Sequence, residues 1–413
     1  MRLHDVDLSD ADAFNDGFPH EYFAFLRREH PLAWHPETEK SVAHRGLPPG
    51  PGFYAVSKHA DVIHVSKNPE LFSSWLGGTN IPTVPDEQMN QLRLLMLNMD
   101  PPQHVKYRKL VRSGFTPTKI KQLYADVQAL AAHIVDKVAR KGECDFVAEI
   151  SCELPLQVIA ELMGVPQKDR HKLFEWSNKL IGFDDPEYQT SPEQGQQASA
   201  QMWAYANELA QERKRCPADD LVTKLLTGEV DGHRLSEMEF DSFFLLLAVA
   251  GNETTRNLIT QGMRSLFENP AQLRLLVDDL SLVPSAVNEM LRWRPPVMYF
   301  RRTVTEDTEL RGVELHRGDK VCVYYPSANR DEEVFENPDV FDIRRNPTPH
   351  VAFGIGEHFC LGSHLARMEI EIMFRELLSR LPDIQLAGEV RLLRSNFIDG
   401  IKSMPVRFTP ERD

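Results

Sequence analysis

Phe353-Gly354-Ile355-Gly356-Glu357-His358-Phe359-Cys360-Leu361-Gly362 sets three glycines and an aromatic around one cysteine, just before an amphipathic stretch, Leu361 to Leu381. A glycine-rich loop lets backbone approach another group closely, and the helix start that follows favours an anionic sulfur. Cys144, Cys152, Cys216 and Cys322 lack such a setting and read as small hydrophobes. Five cysteines, an odd number with no C-x-x-C pair, point to reduced thiols in a cytoplasm.

Outward from this loop, apolar residues recur every three or four positions over Leu110 to Ala139, Leu154 to Met163 and Leu361 to Leu381, which predicts helices. Strand-like stretches are short and late: Tyr299 to Val304, Val313 to Leu315 and Val321 to Tyr325. The fold class expected is mainly α with a small β-rich subregion. The Pro/Gly cluster Leu47 to Gly52 is a turn before a short strand, Phe53 to Val56. A polar loop, Gly182 to Pro192, separates helices over Lys168 to Leu180 and Glu193 to Arg215; it is either a mobile lid or an ordinary solvated connection.

The longest helix is predicted from Ser236, where Ser236-Glu237-Met238-Glu239 fits a capping box, to Asn269, where Pro270 stops it. At 1.5 Å per residue it spans roughly 50 Å. Its middle, Phe243 to Gly251, is apolar on every face and is expected to be buried on every side. Asn252-Glu253-Thr254-Thr255-Arg256 then puts polar groups into the core, where each costs about 1–3 kcal/mol if unpaired.

Composition sets outer bounds. The 413 residues are 42% hydrophobic and 26% charged, enough for a sizeable core. Lys plus Arg number 47 against 61 Asp plus Glu, a net charge of −14, which argues against nucleic-acid binding. The first 30 residues have no signal-peptide pattern, and the nine apolar residues Phe243 to Gly251 are about half a bilayer crossing, so no membrane span is expected. No repeat or linker divides the chain, and residues 1–413 are read as a single domain.

The cysteine loop resembles the haem-thiolate signature F-G-x-G-x-H-x-C-x-G of the cytochrome P-450 family at all six fixed positions. Other family motifs follow in order. Ala250 to Thr255 resembles the oxygen-activating A-G-x-(acid)-T-T, and Glu289-Met290-Leu291-Arg292 resembles E-x-x-R, with Arg345 as the third member of its ion network. The resemblance runs from about Pro19 to Val406. It implies a helical bundle around haem b, with Cys360 as the iron's only protein ligand. It implies His104, Arg108, Arg302 and His358 as partners of the propionates, and Glu253 and Thr254 as the proton relay. Ala250 and Gly251 are expected to be small so that dioxygen and substrate can lie against the helix. No flavin- or nicotinamide-binding G-x-G-x-x-G follows, so electrons are expected from NAD(P)H through a separate ferredoxin and its reductase.

Longer stretches, among them Met96 to Asp100, Ser151 to Gln157, Ala248 to Asn257 and Arg345 to Pro347, are similar to the actinobacterial steroid side-chain monooxygenases. The activity implied is hydroxylation of an unactivated C–H, a terminal methyl, on a sterol or sterol-like lipid. A terpenoid or methyl-branched lipid hydroxylase of the same family is the alternative. A non-enzymatic haem or lipid carrier would have no use for Glu253 and Thr254, and a peroxide-driven hydroxylase would depart from that pair. Segments Ser74 to Met96, 182–192, Val297 to Phe300 and Phe397 to Ile401 are the expected determinants of substrate choice.

Overall fold

The computed structural model describes every residue except Thr190, Asp231, His233 and Asp413, and of Ser113 only the backbone. Helices dominate: α1 (Gln103–Arg112), α2 (Tyr124–Ala139), α3 (Glu153–Met163), α4 (Arg170–Ile181), α5 (Pro192–Arg215), α6 (Glu237–Glu268), α7 (Val283–Trp293) and α8 (Ser363–Arg380) build the main body. A five-stranded sheet lies beside it. Its strands are β1 (Leu32–His35), β2 (Phe53–Val56), β3 (Phe72–Ser73), β4 (Tyr299–Val304) and β5 (Lys320–Tyr324), in the order β1-β2-β5-β4-β3. Only the β2–β5 pair is parallel, and β4 pairs antiparallel with β5, with Arg302 opposite Val321.

The long helix α6 forms where the sequence places it. Ser236 and Glu239 cap each other's backbone, and Asn269 closes the C-terminus ahead of Pro270. Packing against α3, α4, α5 and α8 makes it the axis of the bundle. Its apolar middle is not covered on all sides, however. Leu245 and Leu246 are half-buried and Ala250 is exposed, although Phe243, Phe244 and Ala248 are fully buried. The row 246–250–254, at helical spacing, is left open by the protein.

The continuous helix expected over 110–139 is broken. Thr116 takes an extended conformation and its side chain accepts the Lys119 amide, starting a separate short helix at Pro117, which cannot continue the preceding turn. The helix after the cysteine loop starts later than its apolar spacing suggests, at Ser363.

One buried group in α8 has no charge partner. Glu369 is 2% exposed, its Oε2 has no hydrogen-bond partner among the described residues, and burial holds its carboxyl well above the usual range. A raised native pKa gives stability that is complete below the unfolded carboxyl range, near 4.3, and declines as pH rises above it. Glu369→Gln should therefore raise the melting temperature at neutral pH by a few degrees and flatten that decline. A melting series in pH checks this; an unchanged slope would mean the carboxyl is ionised in the fold.

Candidate active site

The cysteine loop is folded back on itself. The Cys360 amide donates to the Phe353 carbonyl at 2.8 Å, and Gly354 and Gly356 have φ of +68° and +74°. A Cβ on Gly356 would lie 2.6 Å from the Ser66 carbonyl oxygen, so that position has no room for a side chain. A Cβ on Gly362 would meet nothing. The Cys360 sulfur accepts the Gly362 amide at the start of α8 and feels Arg108 and Arg367. These three favour the thiolate, but burial outweighs them and raises the thiol's pKa. Arg367 also stacks on Phe353, 4.5 Å from the ring centre, bracing the loop from α8.

Four cationic or potentially cationic side chains gather beside the cysteine. His104 and Arg108 come from α1, Arg302 from β4 and His358 from the loop. The His104 and His358 rings are 4.2 Å apart, and His358 lies 3.4 Å from Ser74 Oγ. Burial, reinforced by Arg108 and Arg302, pushes His104 down to about 4 and His358 well below the usual imidazole value. Both rings are neutral at pH 7 in this setting. Arg302 is 4% exposed and donates to the Arg301 carbonyl at 2.9 Å, and Arg108 donates to the Phe359 carbonyl at 2.5 Å. Neither arginine forms an ion pair among the described residues, and His104 Nδ1 has no partner. An uncompensated buried guanidinium costs several kcal/mol. This donor set therefore fits a dianionic ligand, and the two carboxylates of a haem meet that need. The family resemblance implied these four residues as one set, and the fold brings them within electrostatic reach of one another.

The polar cluster of α6 is arranged differently. Glu253 is 1% exposed and forms an ion pair with Arg256, whose Nη1 donates to Asn178 Oδ1 of α4 at 2.9 Å. Burial nevertheless raises the Glu253 carboxyl. Thr254 Oγ1 donates to the Ala250 carbonyl at 2.8 Å and lies on the open 246–250–254 row. Gly251 has another role than the one expected. A Cβ there would come within 2.9 Å of Ile159, so Gly251 is small because α3 packs against it. Asn178 and Ser74 are partners that sequence spacing did not single out, since each meets the site across a tertiary contact, whereas Arg256 pairs with Glu253 within one turn of α6.

Glu289 and Arg292 of α7 are both fully buried and joined by two contacts of 2.7 Å, with Arg345 Nε 3.2 Å from Glu289. This triad anchors the 329–345 segment that leads into the cysteine loop.

The sequence pattern of the family described as Cytochrome P450 matches residues 126–382, more than half of the chain. The chain is 44% identical to a steroid C26-monooxygenase of Rhodococcus jostii (strain RHA1), over 97% of this chain and 84% of that one. It is 42% identical to a methyl-branched lipid omega-hydroxylase of Mycobacterium tuberculosis (strain ATCC 25618 / H37Rv), over 98% of this chain and 95% of the relative. Its structure is similar to that of a Mycobacterium marinum cytochrome P450 in complex with pseudoionone, with a TM-score of 0.91, 38% identity and 99% of each chain covered. Motif, fold and kinship agree: the chain belongs to the cytochrome P450 family, the haem-thiolate monooxygenases.

Proposed function

We propose that this enzyme hydroxylates the terminal methyl of a sterol or sterol-like lipid with dioxygen and electrons delivered by a ferredoxin. The observation that carries the substrate class is the 44% identity, over nearly the whole chain, to a steroid C26-monooxygenase. No helix among the described residues is long and apolar enough to cross a membrane.

When bound, haem supplies an iron whose thiolate ligand favours O–O cleavage. Cys360 is that ligand, with the Gly362 amide supporting its charge. Arg108, Arg302, His104 and His358 hold the propionates. Glu253, whose proton affinity burial raises, takes up and gives up the proton, and Thr254, whose hydroxyl sits on the open row of α6, passes it on once it leaves the Ala250 carbonyl. Glu253 must loosen from Arg256 to do so. Thr254→Ala should keep haem and substrate binding while product per NAD(P)H consumed falls several-fold and peroxide rises. Unchanged coupling would remove Thr254 from the relay.

A terminal methyl C–H is stronger than the tertiary C–H beside it, so geometry must impose the choice by presenting only the chain tip. Burying a sterol at about 25 cal/mol per Å² supports micromolar affinity or better after ordering costs. Cholestenone, a linear fatty acid and a monoterpene offered at equal concentration separate the readings. Tight binding and coupled turnover of cholestenone are expected. The pseudoionone bound by the Mycobacterium marinum relative favours a terpenoid as second reading, and coupled turnover of the monoterpene alone would select it.

The reducing partner docks on the face nearest Cys360. Lys106, Lys109 and Arg112 are exposed on α1 there, despite the net charge of −14. Lys109→Glu with Arg112→Glu should slow the first electron transfer about tenfold at low salt, because local charge steers an acidic partner, and leave substrate affinity unchanged. Stopped-flow reduction checks this, and equal rates would dismiss the patch.

A further inference from the structure

Glu253, Asn257 and Gln261 follow one another at four-residue spacing, so they share one face of α6. Asn257 and Gln261 lie about 6 and 12 Å beyond Glu253 along the axis, and both are fully buried amides. Each meets the turn 393–400, which joins the short antiparallel strands Arg391–Leu392 and Ile401–Ser403. Asn257 Oδ1 accepts the Ile401 amide at 3.3 Å. Gln261 Nε2 donates twice to Asp399, to Oδ1 at 2.7 Å and to the backbone carbonyl at 3.3 Å. A Cβ on Gly400 would lie 2.9 Å from Leu393 and 3.4 Å from Asn257 Oδ1, so the turn lies directly against α6.

The backbone partners fix which end of each amide faces the turn. An N–H requires the Asn257 oxygen, and a carbonyl requires the Gln261 nitrogen. The opposite ends, Asn257 Nδ2 and Gln261 Oε1, have no hydrogen-bond partner among the described residues. Half-paired buried amides add little stability. What they supply is orientation.

The other side of the turn borders β4. Phe397 packs on Phe300, with ring centres 5.7 Å apart, and strand alternation puts Phe300 on the same face of β4 as Arg302. The Met298 amide donates to the Phe397 carbonyl and the Asp399 amide to the Pro296 carbonyl, both at 2.9 Å. Two of the segments expected to choose the substrate, Val297 to Phe300 and Phe397 to Ile401, are thus joined into one wall. Through two amides, the helix that carries Glu253 and Thr254 holds that wall.

We propose that Asn257 and Gln261 are positioning residues for regiochemistry. By fixing the 397–401 wall against α6, they set which carbon at the end of the substrate chain faces the haem. The proposal rests on the reading of the enzyme as a terminal hydroxylase. A terminal methyl and the tertiary carbon beside it are one bond apart, so displacing the wall by about 1 Å is enough to change which is presented. When the wall yields, the weaker tertiary C–H takes over.

The test uses the haem-loaded enzyme as wild type, Asn257→Leu, Gln261→Met and Gln261→Glu, the last also combined with Asp399→Asn. The probes are cholestenone and an iso-branched fatty acid. Both end in an isopropyl group, so terminal and tertiary hydroxylation compete on either. Amide hydrogen exchange at Leu393 and Ile401, which are bonded to the Gly400 carbonyl and to Asn257, reads the turn itself. In each single variant exchange should accelerate, and the ratio of tertiary to terminal alcohol should rise about tenfold, the factor that 1.4 kcal/mol represents. In the double variant a carboxylate can accept from an amide again, with the polarity of the contact reversed, and the ratio should return towards wild type. Ser265→Ala, which removes a hydroxyl bonded to the Gln261 carbonyl at 2.7 Å, controls for general loosening of α6 and should change neither reading.

Unchanged exchange would show that the amides do not hold the turn. Accelerated exchange with an unchanged product ratio would overturn the proposal, because the turn would then not choose the carbon. The same shift in Ser265→Ala would reduce the effect to a loosened helix, and no rescue in the double variant would separate Gln261 from Asp399. If an apolar replacement fails to accumulate, Gln261→Glu and its rescue decide alone. A wild type that forms no terminal alcohol from either probe would strike at the terminal-hydroxylase reading instead, leaving the exchange data to judge whether the amides hold the turn.

Discussion

Cys360→Ala should lose the thiolate-type Soret band of the reduced carbon-monoxide complex and all monooxygenase activity. The other four cysteines offer no substitute. Cys144, Cys152 and Cys322 are pushed up to about 12 by burial, so their thiols stay protonated, and Cys216 is exposed at the end of α5. Cys360 combines the donated Gly362 amide at a helix start with two nearby arginines, Arg108 and Arg367. The propionate partners remain in the variant, so weak haem retention with an altered spectrum is compatible with the assignment. A surviving thiolate-type band would overturn it.

Arg292→Ala is expected to be the most damaging substitution for stability. Arg292 donates to both Glu289 oxygens at 2.7 Å, to the Asn329 and Pro338 carbonyls at 3.0 and 2.8 Å, and to the Val340 carbonyl at 3.1 Å. Its removal leaves the buried Glu289 carboxylate with Arg345 and the Asp342 amide, and takes a donor from three carbonyls, of which Val340 keeps Arg345, a loss of about 3–5 kcal/mol. Thermal melts of the haem-loaded protein should show a drop of many degrees, or the variant should fail to accumulate. Arg292→Lys should recover little, because one ammonium cannot reproduce the planar fork that reaches five acceptors. A melting temperature within a degree or two of wild type for Arg292→Ala would show that the triad is dispensable.

These two residues stand at opposite ends of what the chain reveals on reading. Cys360 was legible because most of its constraint is local: glycines with positive φ and a helix start act within ten residues of sequence, while the tight approach of Gly356 to the distant Ser66 carbonyl came only with the fold. Likewise α6 and its capping box follow from spacing and short-range hydrogen bonds alone. The helix predicted across 110–139 failed for a local reason too, since Thr116 and Pro117 impose a restart that apolar spacing does not register.

Tertiary structure decided what the polar groups do. Spacing put Glu289 and Arg292 on one turn, but only packing removes both from water and turns an ordinary helical pair into a buried anchor with Arg345. Gly251 looked like room for a ligand and proved to be room for Ile159, because α3 crosses α6 at that point. The row 246–250–254 starts in a stretch that is apolar all round, so no periodicity there could reveal that one face stays uncovered. The composition of the loop Gly182 to Pro192 left a mobile lid and an ordinary solvated connection equally open. The loop's partners at 44–45, 391–394 and 402 lie more than a hundred residues away, and no local rule connects them. Short-range chemistry was written in the sequence; which charges lose water, and against whom, depends on distances that only the folded chain creates.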